Sequence, residues 1–567
     1  MPAGTPAQPD TVVLFRPHLF PDFGFIMILR DMLSNDETPD LQTLQRLLIT
    51  IPDPGEIEDL VRHLSAQMQG DERRRYIGNL LSGLLPLEEL VPDCYAEWRT
   101  VVHDAVVIIG ASLSDTRLIP KLVEQIRISP DVTLEKRLAA FISQMPSLQK
   151  LGQTIARNKH LNPEFRDELI LLENMIRDVT PEQVTARIRE MLGPSIEAYE
   201  VELESMIHAE ASVCAVMRFS WINPANGKRE EGVFKVLKPY VREFYREELD
   251  ILEKLSDYLT EHRSGYHLRD VDFKTVFDDV RSLLEREIDS VSEQSNLESA
   301  YYRYKNIPGI RVPRLIRELS VPGITAMSLE QGVKVTDALP DDQWSRHRLA
   351  ERIVEALIAV PLFSADEESE FHADPHAGNL FYDSKCEDLL IFDWAMTGKL
   401  NRNERRQIIL LISAVMLRDE YLIYSTVRQM GRHPLSYSAS AKIRDQVRRF
   451  TSGLSPLTVP GMEHVLSLLD RLVRTGISFS TPLLIFRKVL LTMDGILYDM
   501  NLRLPMENIL TRYIFSQETG KFLNMDREVL SSHVPLSYFD MWSLWWSAQW
   551  LGPRIGMQTG ERLFRPG

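Results

Sequence analysis

A β-hairpin set between helical tracts most limits what this chain can fold into. In ASVCAVMRFSWINPANGKREEGVFKVLKP, Ala211 to Pro239, two runs rich in β-branched and aromatic residues flank NPANGK, whose Asn-Gly pair is a turn signal. After it, YREELDILEKLSDYLTEH and DFKTVFDDVRSLLEREIDSVSEQSNLESAYYRY repeat apolar residues at three-and-four spacing, and each predicts helix. IRVPRLIRELSVPGITAMSLEQG reads as further strands, and from Asn401 to about Thr519 the pattern is helical again, as in RRQIILLISAVML and EHVLSLLDRLV. A small mixed region between helical regions predicts an α+β fold.

Residues from about Asp40 to Leu148 read as helices throughout, in LQTLQRLLITI, EIEDLVRHLSAQM, RRRYIGNLLSGLL and LIPKLVEQIRI, with turn signals PDPGE and SPDVT between them. No fixed-period repeat runs through them, so the reading is a stacked helical region to which no chemistry is assigned. At 567 residues the chain exceeds what one hydrophobic core usually serves, and its 44% apolar share is ample for two or more lobes.

The net charge of −16 argues against broad nucleic-acid binding, which needs a surplus of Lys and Arg. Three cysteines, Cys94, Cys214 and Cys386, lie far apart and offer neither a disulfide framework nor a metal knuckle, which fits a reducing, cytoplasmic setting. The opening MPAGTPAQPDTVVLFRPHLF lacks the charged and apolar regions of a leader, and no apolar run reaches the roughly 18 residues of a membrane span. YFDMWSLWWSAQWLG, Tyr538 to Gly552, has a different texture. Its four tryptophans and one tyrosine predict burial against the protein first, and peripheral contact with a membrane interface second.

The densest chemistry is in FHADPHAGN, Phe371 to Asn379, followed by LLIFDWAMTG. His372 and His376 are four apart, but Pro375 opposes a helix between them and no Glu stands where a zinc-protease helix carries one. His372 is instead expected to hold the loop by hydrogen bonds. Asp374 and Asn379 have the D-x-x-x-x-N spacing that positions an acceptor and holds a metal; Asp393 ends an apolar run where a second metal-binding Asp stands. Lys235, on the second hairpin strand, is placed to reach the α- and β-phosphates of a nucleotide, and Glu287 and Glu293, on one long helix LLEREIDSVSEQSN, are its candidate partners. Each residue alone is an ordinary surface or turn residue. In this order they point to phosphoryl transfer.

These motifs together resemble a known family. HADPHAGN matches the H-x-D-P-H-x-G-N loop of the UbiB-like, or aarF-domain-containing, atypical kinases, and KLGQ at Lys150 to Gln153 matches their KxGQ signature. EREIDSVSEQSN matches the E-x-D…E…N helix through Glu287, Asp289, Glu293 and Asn296, and IRVPRLI and DWAMTG follow in register. The likeness covers roughly Leu148 to Gly398, with looser similarity beyond.

The resemblance implies a protein-kinase-like bilobal fold with a KxGQ helical extension over the cleft, plus an N-terminal mostly helical domain. The segments expected are an N-terminal helical region (1–140), the KxGQ extension (141–200), an N-lobe with inserted helices (201–335), a helical C-lobe carrying the catalytic loop (336–525) and the aromatic-rich C-terminal segment (526–567). ATP and Mg²⁺ are the implied cofactors. Lys235 would contact the phosphates, Glu293 or Glu287 would pair with it, Asp374 would be the catalytic-loop carboxylate, and Asn379 and Asp393 would hold Mg²⁺. Lys150, Gln153, Glu287 and Asp289 would form the lid contacts, Ala209, Ala211 and Ser212 the nucleotide loop, and AMSLEQG, around Met327 to Leu329, would offer backbone groups to an adenine. In the family the extension obstructs protein substrates, so the implied acceptor is a small molecule or an isoprenoid or quinone lipid at a membrane. A homodimer, and a protein partner held by the N-terminal helical region, are compatible with this reading.

Two departures keep a second reading open. The family's alanine-rich loop is HAEASVC here, with Glu210 between Ala209 and Ala211, and a carboxylate beside a triphosphate is repulsive unless a cation stands between them. Ala395 replaces the Gly of the metal-binding triplet and restricts any backbone needing positive φ there. The alternatives are a Mg-nucleotide enzyme and a pseudokinase scaffold that binds nucleotide weakly or not at all.

Overall fold

The computed structural model describes residues 71–563 apart from 130, 157–161, 176, 267–271, 338, 339, 341, 432–436, 457, 475–477, 503–508 and 510–534, together with 55, 58 and 62. LQTLQRLLITI and almost all of EIEDLVRHLSAQM therefore lie outside the described residues. The chain divides into two compact units, one of Met1–Met191, Leu203–Met217 and Lys235–Ile288, the other of Leu192–Glu202, Arg218–Phe234 and Asp289–Gly567.

In chain order the elements up to Ile288 are helices α1 (Asp71–Leu84), α2 (Arg99–Ser112), α3 (Asp115–Arg127), α4 (Leu134–Ile142), α5 (Pro146–Ala156), α6 (Pro163–Met175) and α7 (Pro181–Ala198), then strands β1 (Glu202–Glu210), β2 (Cys214–Asn223) and β3 (Lys228–Leu237) and helices α8 (Pro239–Glu261) and α9 (Phe273–Ile288), of which α7, β2 and β3 divide between the two units and all but the first residue of β1 falls in the first. Ile77, Leu81, Ile109, Leu122 and Phe141 share one core with Ile251 and Leu255 of α8 and Phe277 and Val280 of α9. The N-terminal helices thus share a core with the helices that follow the hairpin. Burying apolar faces jointly is what makes helices this short stable.

The hairpin forms where its turn chemistry placed it. Gly227 takes a left-handed φ of +66° and donates its N–H to the Asn223 carbonyl at 2.8 Å, while Asn223 and Asn226 both hydrogen-bond Glu230 at 2.9 Å. With β5 (Ile324–Ser328) the strands form a sheet in the order β1-β2-β3-β5. The expected single helix through LLEREIDSVSEQSN is instead two. Asp289, at φ −80° and ψ 72°, caps helix α10 (Ser290–Tyr304) by accepting the Ser292 N–H at 3.0 Å and its hydroxyl at 2.6 Å. Glu287 closes α9, and Glu293 opens α10.

In the second unit, β4 (Ile310–Arg311) pairs parallel to β9 (Asp388–Ile391), and β8 (Leu380–Asp383) and β6 (Val333–Lys334) complete a sheet in the order β4-β9-β8-β6. Helix α11 (Gln343–Val354) runs on through a π turn at Glu355–Ala359. It packs with α12 (Arg402–Met416), α13 (Glu420–Met430), α14 (Tyr437–Gly453), α15 (Met462–Arg474) and α16 (Thr481–Asp499) around Leu357, Phe371, Leu411, Val447, Leu468 and Met493. Asn401 and Glu404 form a reciprocal capping box at the start of α12. Two last helices follow, α17 (Tyr538–Gln549) and α18 (Leu551–Leu563). The expectation that the aromatic segment is buried is corrected: Tyr538, Phe539, Trp542, Trp545, Trp546 and Trp550 are all exposed.

Strands β7 (Glu368–His372) and β10 (Thr397–Asn401) pair antiparallel, Phe371 opposite Gly398 and His372 opposite Thr397. A Cβ at Gly398 would lie 2.2 Å from the ring of Phe371, which is completely buried, so the strands that carry FHADPHAGN and follow DWAMTG close only around a glycine. Gly398→Ala is expected to cost about 1–3 kcal/mol in chemical denaturation, as overpacking does; an unchanged midpoint would show that Phe371 can yield.

Candidate functional site

The loop after β7 is organised by a buried histidine. His372 is 1% exposed; its Nδ1 accepts the Asp374 N–H at 3.2 Å and its Nε2 lies 3.1 Å from the Phe392 carbonyl. An acceptor at Nδ1 puts the proton on Nε2, which donates to that carbonyl, so the ring is neutral and both nitrogens are committed to the loop. Burial pushes it below the ordinary histidine range. Trp394 stands edge-on to the ring at 4.9 Å. His376 instead accepts the Gly378 N–H at 3.0 Å.

Asp374 and Asn379 are brought together. The Asn379 Nδ2 donates to the Asp374 carbonyl at 3.1 Å, which commits the amide nitrogen, while its Oδ1, an atom that could ligate a metal, accepts no hydrogen bond among the described residues. The Phe392 N–H donates to the Asn379 carbonyl at 2.9 Å, so the residue before Asp393 is tied to the loop. Asp393 has a left-handed φ of +56°, and its carboxylate accepts the Ala395 N–H at 3.4 Å. The positive φ of the triplet falls on the Asp, which tolerates it better than most residues, and Ala395 is not among the residues with positive φ. Asn296 of α10 steadies the triplet by donating to the Trp394 carbonyl at 3.1 Å.

Sequence reasoning missed Lys488 on α16. Its Nζ lies 3.2 Å from Asp374 Oδ1 and is half exposed, and His376 Nε2 is 3.8 Å from the other oxygen. Nothing local in the sequence links it to the loop.

A second cluster lies in the first unit. Lys150 of KLGQ is buried and pairs with Glu287, whose other oxygen accepts the Ser212 hydroxyl at 3.3 Å. Three of the residues singled out by sequence therefore meet. Asp289 caps α10, as described, and Glu293 is buried in the first turn of that helix. Gln153 lies on α5, half buried, and Lys235 is half buried on β3. In the second unit, Met327 is the penultimate residue of β5 and packs against the core, and the Leu329 N–H donates to the Glu231 carbonyl at 3.3 Å.

Glu210 does not point where the repulsion argument needed it. Strand period places Ala209 and Ala211 on the exposed face and the Glu210 side chain inside, 3% exposed, 2.9 Å from Lys238 Nζ and accepting the Asp178 N–H at 3.0 Å. Lys238, itself 1% exposed, also pairs with Asp178 at 2.6 Å; the other Asp178 oxygen accepts from Tyr240 at 2.9 Å, Gln149 at 3.1 Å and the Gln144 N–H at 3.0 Å. Burial pushes the Asp178 carboxyl up, but the charge and hydrogen bond of Lys238, with the other donors, outweigh it and hold the carboxyl below its ordinary range. Burial, then the Asp178 carboxylate, pushes the Tyr240 hydroxyl far up.

The donor set fits Mg²⁺. Asn379 Oδ1 and the Asp393 carboxylate are hard oxygen donors of the kind that ion prefers, and it is usually held by one or two protein carboxylates plus substrate phosphates. Among the described residues no three His, Cys, Asp or Glu side chains are placed together to hold a metal.

The loop, the triplet and the Lys150–Glu287 pair define an atypical, protein-kinase-like protein. Residues 171–427 match the family described as the ABC1 atypical kinase-like domain. The chain is 29% identical over 278 residues to "Protein ACTIVITY OF BC1 COMPLEX KINASE 7, chloroplastic" of Arabidopsis thaliana, covering 48% of this chain and 38% of that protein. It is 24% identical over 407 residues to "Probable protein kinase UbiB" of Histophilus somni, covering 68% of this chain and 73% of that protein. The chain thus spans under half the length of the plant relative and nearly three quarters of the bacterial one. A solved structure of Rv3197 with erythromycin, from Mycobacterium tuberculosis, aligns at a TM-score of 0.43 and 16% identity over 70% of this chain and 97% of that one, too loosely to carry an argument. Residues 171–427 are thus an ABC1 atypical kinase-like domain, and the similarity to these relatives supports a UbiB-like atypical kinase family. Among the described residues no helix is long and apolar enough to cross a membrane.

Lys238→Met would leave Asp178 and Glu210 buried without their shared cation. It is expected to cost about 3–5 kcal/mol at pH 7, and the deficit relative to wild type should shrink as pH falls towards 5, because the orphaned Asp178 carboxyl takes up a proton that Lys238 keeps off it in the wild type. Denaturant melts at both pH values check this; a deficit independent of pH would mean that the carboxylates are compensated by other groups.

Proposed function

We propose that the chain is a Mg-nucleotide-dependent phosphotransferase or ATPase of the kinase-like type, acting on a small-molecule or isoprenoid-lipid acceptor. The observation that carries the reading is the loop itself: one buried neutral histidine fixes the backbone on which Asp374, Asn379 and Asp393 are set. Asp374 is assigned the acceptor hydroxyl, which it orients and whose proton it accepts; Asn379 and Asp393 are assigned Mg²⁺. Bound there with a nucleotide, Mg²⁺ would neutralise charge on the phosphate oxygens. Lys488, beside Asp374, adds positive charge next to the carboxylate. Lys235 is assigned the phosphates, with Ala209, Ala211 and Ser212 as the nucleotide loop and Met327 to Leu329 facing the base. The pairing of Glu287 with Lys150 argues against Glu287 as the orienting partner of Lys235.

The scaffold reading rested on Glu210 and Ala395. Glu210 is paired with Lys238 inside the protein, and the left-handed residue of the triplet is Asp393, so both objections to nucleotide chemistry lose their force. The acceptor class rests on the family resemblance.

Steady-state turnover of Mg·ATP by the purified chain tests the proposal. Asp374→Asn and Asp393→Asn, each checked for fold by circular dichroism, are expected to lower kcat by about 10²-fold or more. Wild type without turnover, and without the roughly 2.7 kcal/mol of stabilisation that a nucleotide at 100 times its Kd confers, would favour the scaffold.

A further inference from the structure

The C-terminal helix α17 has the reverse of the pattern that water selects. In a surface helix the apolar stripe faces the core and the polar face meets solvent. Here the two buried side chains are polar, with Met541 and Leu544 only half buried beside them. Asp540, 6% exposed, takes a two-pronged ion pair from Arg406 at 2.6 Å on both oxygens. Ser547, 2% exposed, donates to Asp419 at 2.7 Å, and Arg554 of α18 pairs with the same carboxylate at 2.6 Å. Ser537 caps the helix reciprocally with Asp540.

Outward stand Tyr538 and Phe539, about 80% exposed, and Trp542, Trp545, Trp546 and Trp550, each about half exposed. Trp542 and Trp545 stack at 5.2 Å. Taking ordinary aromatic side-chain areas, the six rings present on the order of 800 Å², more than the largest apolar patch of a typical monomer. The ion pairs fix the helix so that it cannot roll this face inward.

Charge decides what covers it. From Ser537 to Pro553 the only charged residue is Asp540, which is turned in and paired, and the whole chain carries −16. An anionic surface would be repelled and would find no Lys or Arg on this face. Indole and phenol rings favour the interface of a bilayer, where the ring sits among acyl chains and the N–H or O–H meets the headgroups. At 12 residues the helix is about 18 Å long, too short to span the roughly 30 Å hydrocarbon core, so it would lie in the plane.

We propose that the outward face of α17 is a membrane-docking surface for electrically neutral, zwitterionic lipid, anchored from behind by Asp540–Arg406 and Asp419–Arg554. The inference rests on this helix alone and is independent of the nucleotide reading.

The test is flotation of the full chain with phosphatidylcholine vesicles at 0.1 M and 1 M NaCl, with Trp fluorescence quenched by bromine-labelled phosphatidylcholine. Wild type is expected to float at both salt concentrations, with quenching. Trp542→Ser/Trp545→Ser/Trp546→Ser, whose substitutions are all at exposed positions, is expected to bind at least tenfold more weakly and to lose most of the quenching with an unchanged thermal melt. Absence of binding to neutral vesicles overturns the proposal, as does binding that requires anionic lipid and disappears in 1 M salt. Self-association by analytical ultracentrifugation that the triple variant abolishes, without vesicle binding in wild type, would assign the face to a second copy and likewise overturns it. Quenching in wild type is read without any variant.

Discussion

The loop to which the proposed chemistry is assigned is held by one neutral, buried imidazole. His372 ends β7, accepts from the Asp374 backbone through one nitrogen and donates to the Phe392 carbonyl through the other, so a single ring fixes the spacing between the loop carboxylate and the strand end that carries Asp393. A protonated ring would lose the acceptor that the Asp374 N–H needs, and burial disfavours protonation. The closure of β7 on β10 around Gly398 holds the ring's strand in place, and the Asn379 amide finishes the turn. Rigid placement of donors before substrate arrives is what kinase-like chemistry requires, since it works chiefly by positioning and electrostatics.

In the other unit, buried charge sets the KLGQ helix. Glu248, completely buried, accepts the Ser147 N–H at 3.0 Å at the helix start and pairs with Arg117 of α3 at 2.5 Å. Gln149 donates to Asp178, and Lys150 pairs with Glu287. Three contacts thus position α5, and the carboxylate in one of them, Glu248, is paired in turn with Arg117 of the N-terminal helices. Those helices have a physical part in this unit: they share its core and supply the cation that keeps Glu248 compensated.

What was legible in the sequence was local. The Asn-Gly turn and the D-x-x-x-x-N spacing could be read because a few adjacent residues fix backbone geometry or spacing, while KLGQ at Lys150 to Gln153 was legible through the family resemblance. The break at Asp289 was legible too, in an Asp three residues ahead of a Ser whose N–H it accepts, but the apolar period ran through it and masked the cap. The inward turn of Glu210 was not, because strand register decides it and the cation that makes burial tolerable, Lys238, comes from the junction between β3 and α8. Lys488 and the polar anchors of α17 were invisible for the same reason, as each meets a partner from a distant part of the chain. For α17, aromatic composition argued for burial, and only the polar residues at Asp540 and Ser547, seen with their partners, show which side faces in.

The central claim is that Asn379 and Asp393 form half of a metal site that a nucleotide completes. Electron paramagnetic resonance of Mn²⁺, in place of Mg²⁺, measures this directly. The account predicts weak Mn²⁺ binding by the protein alone, at least tenfold tighter binding once ATP is present beyond what ATP alone takes up, and loss of that gain in Asn379→Ala and Asp393→Asn. Equal Mn²⁺ binding with and without ATP, or a gain that survives both substitutions, would contradict it.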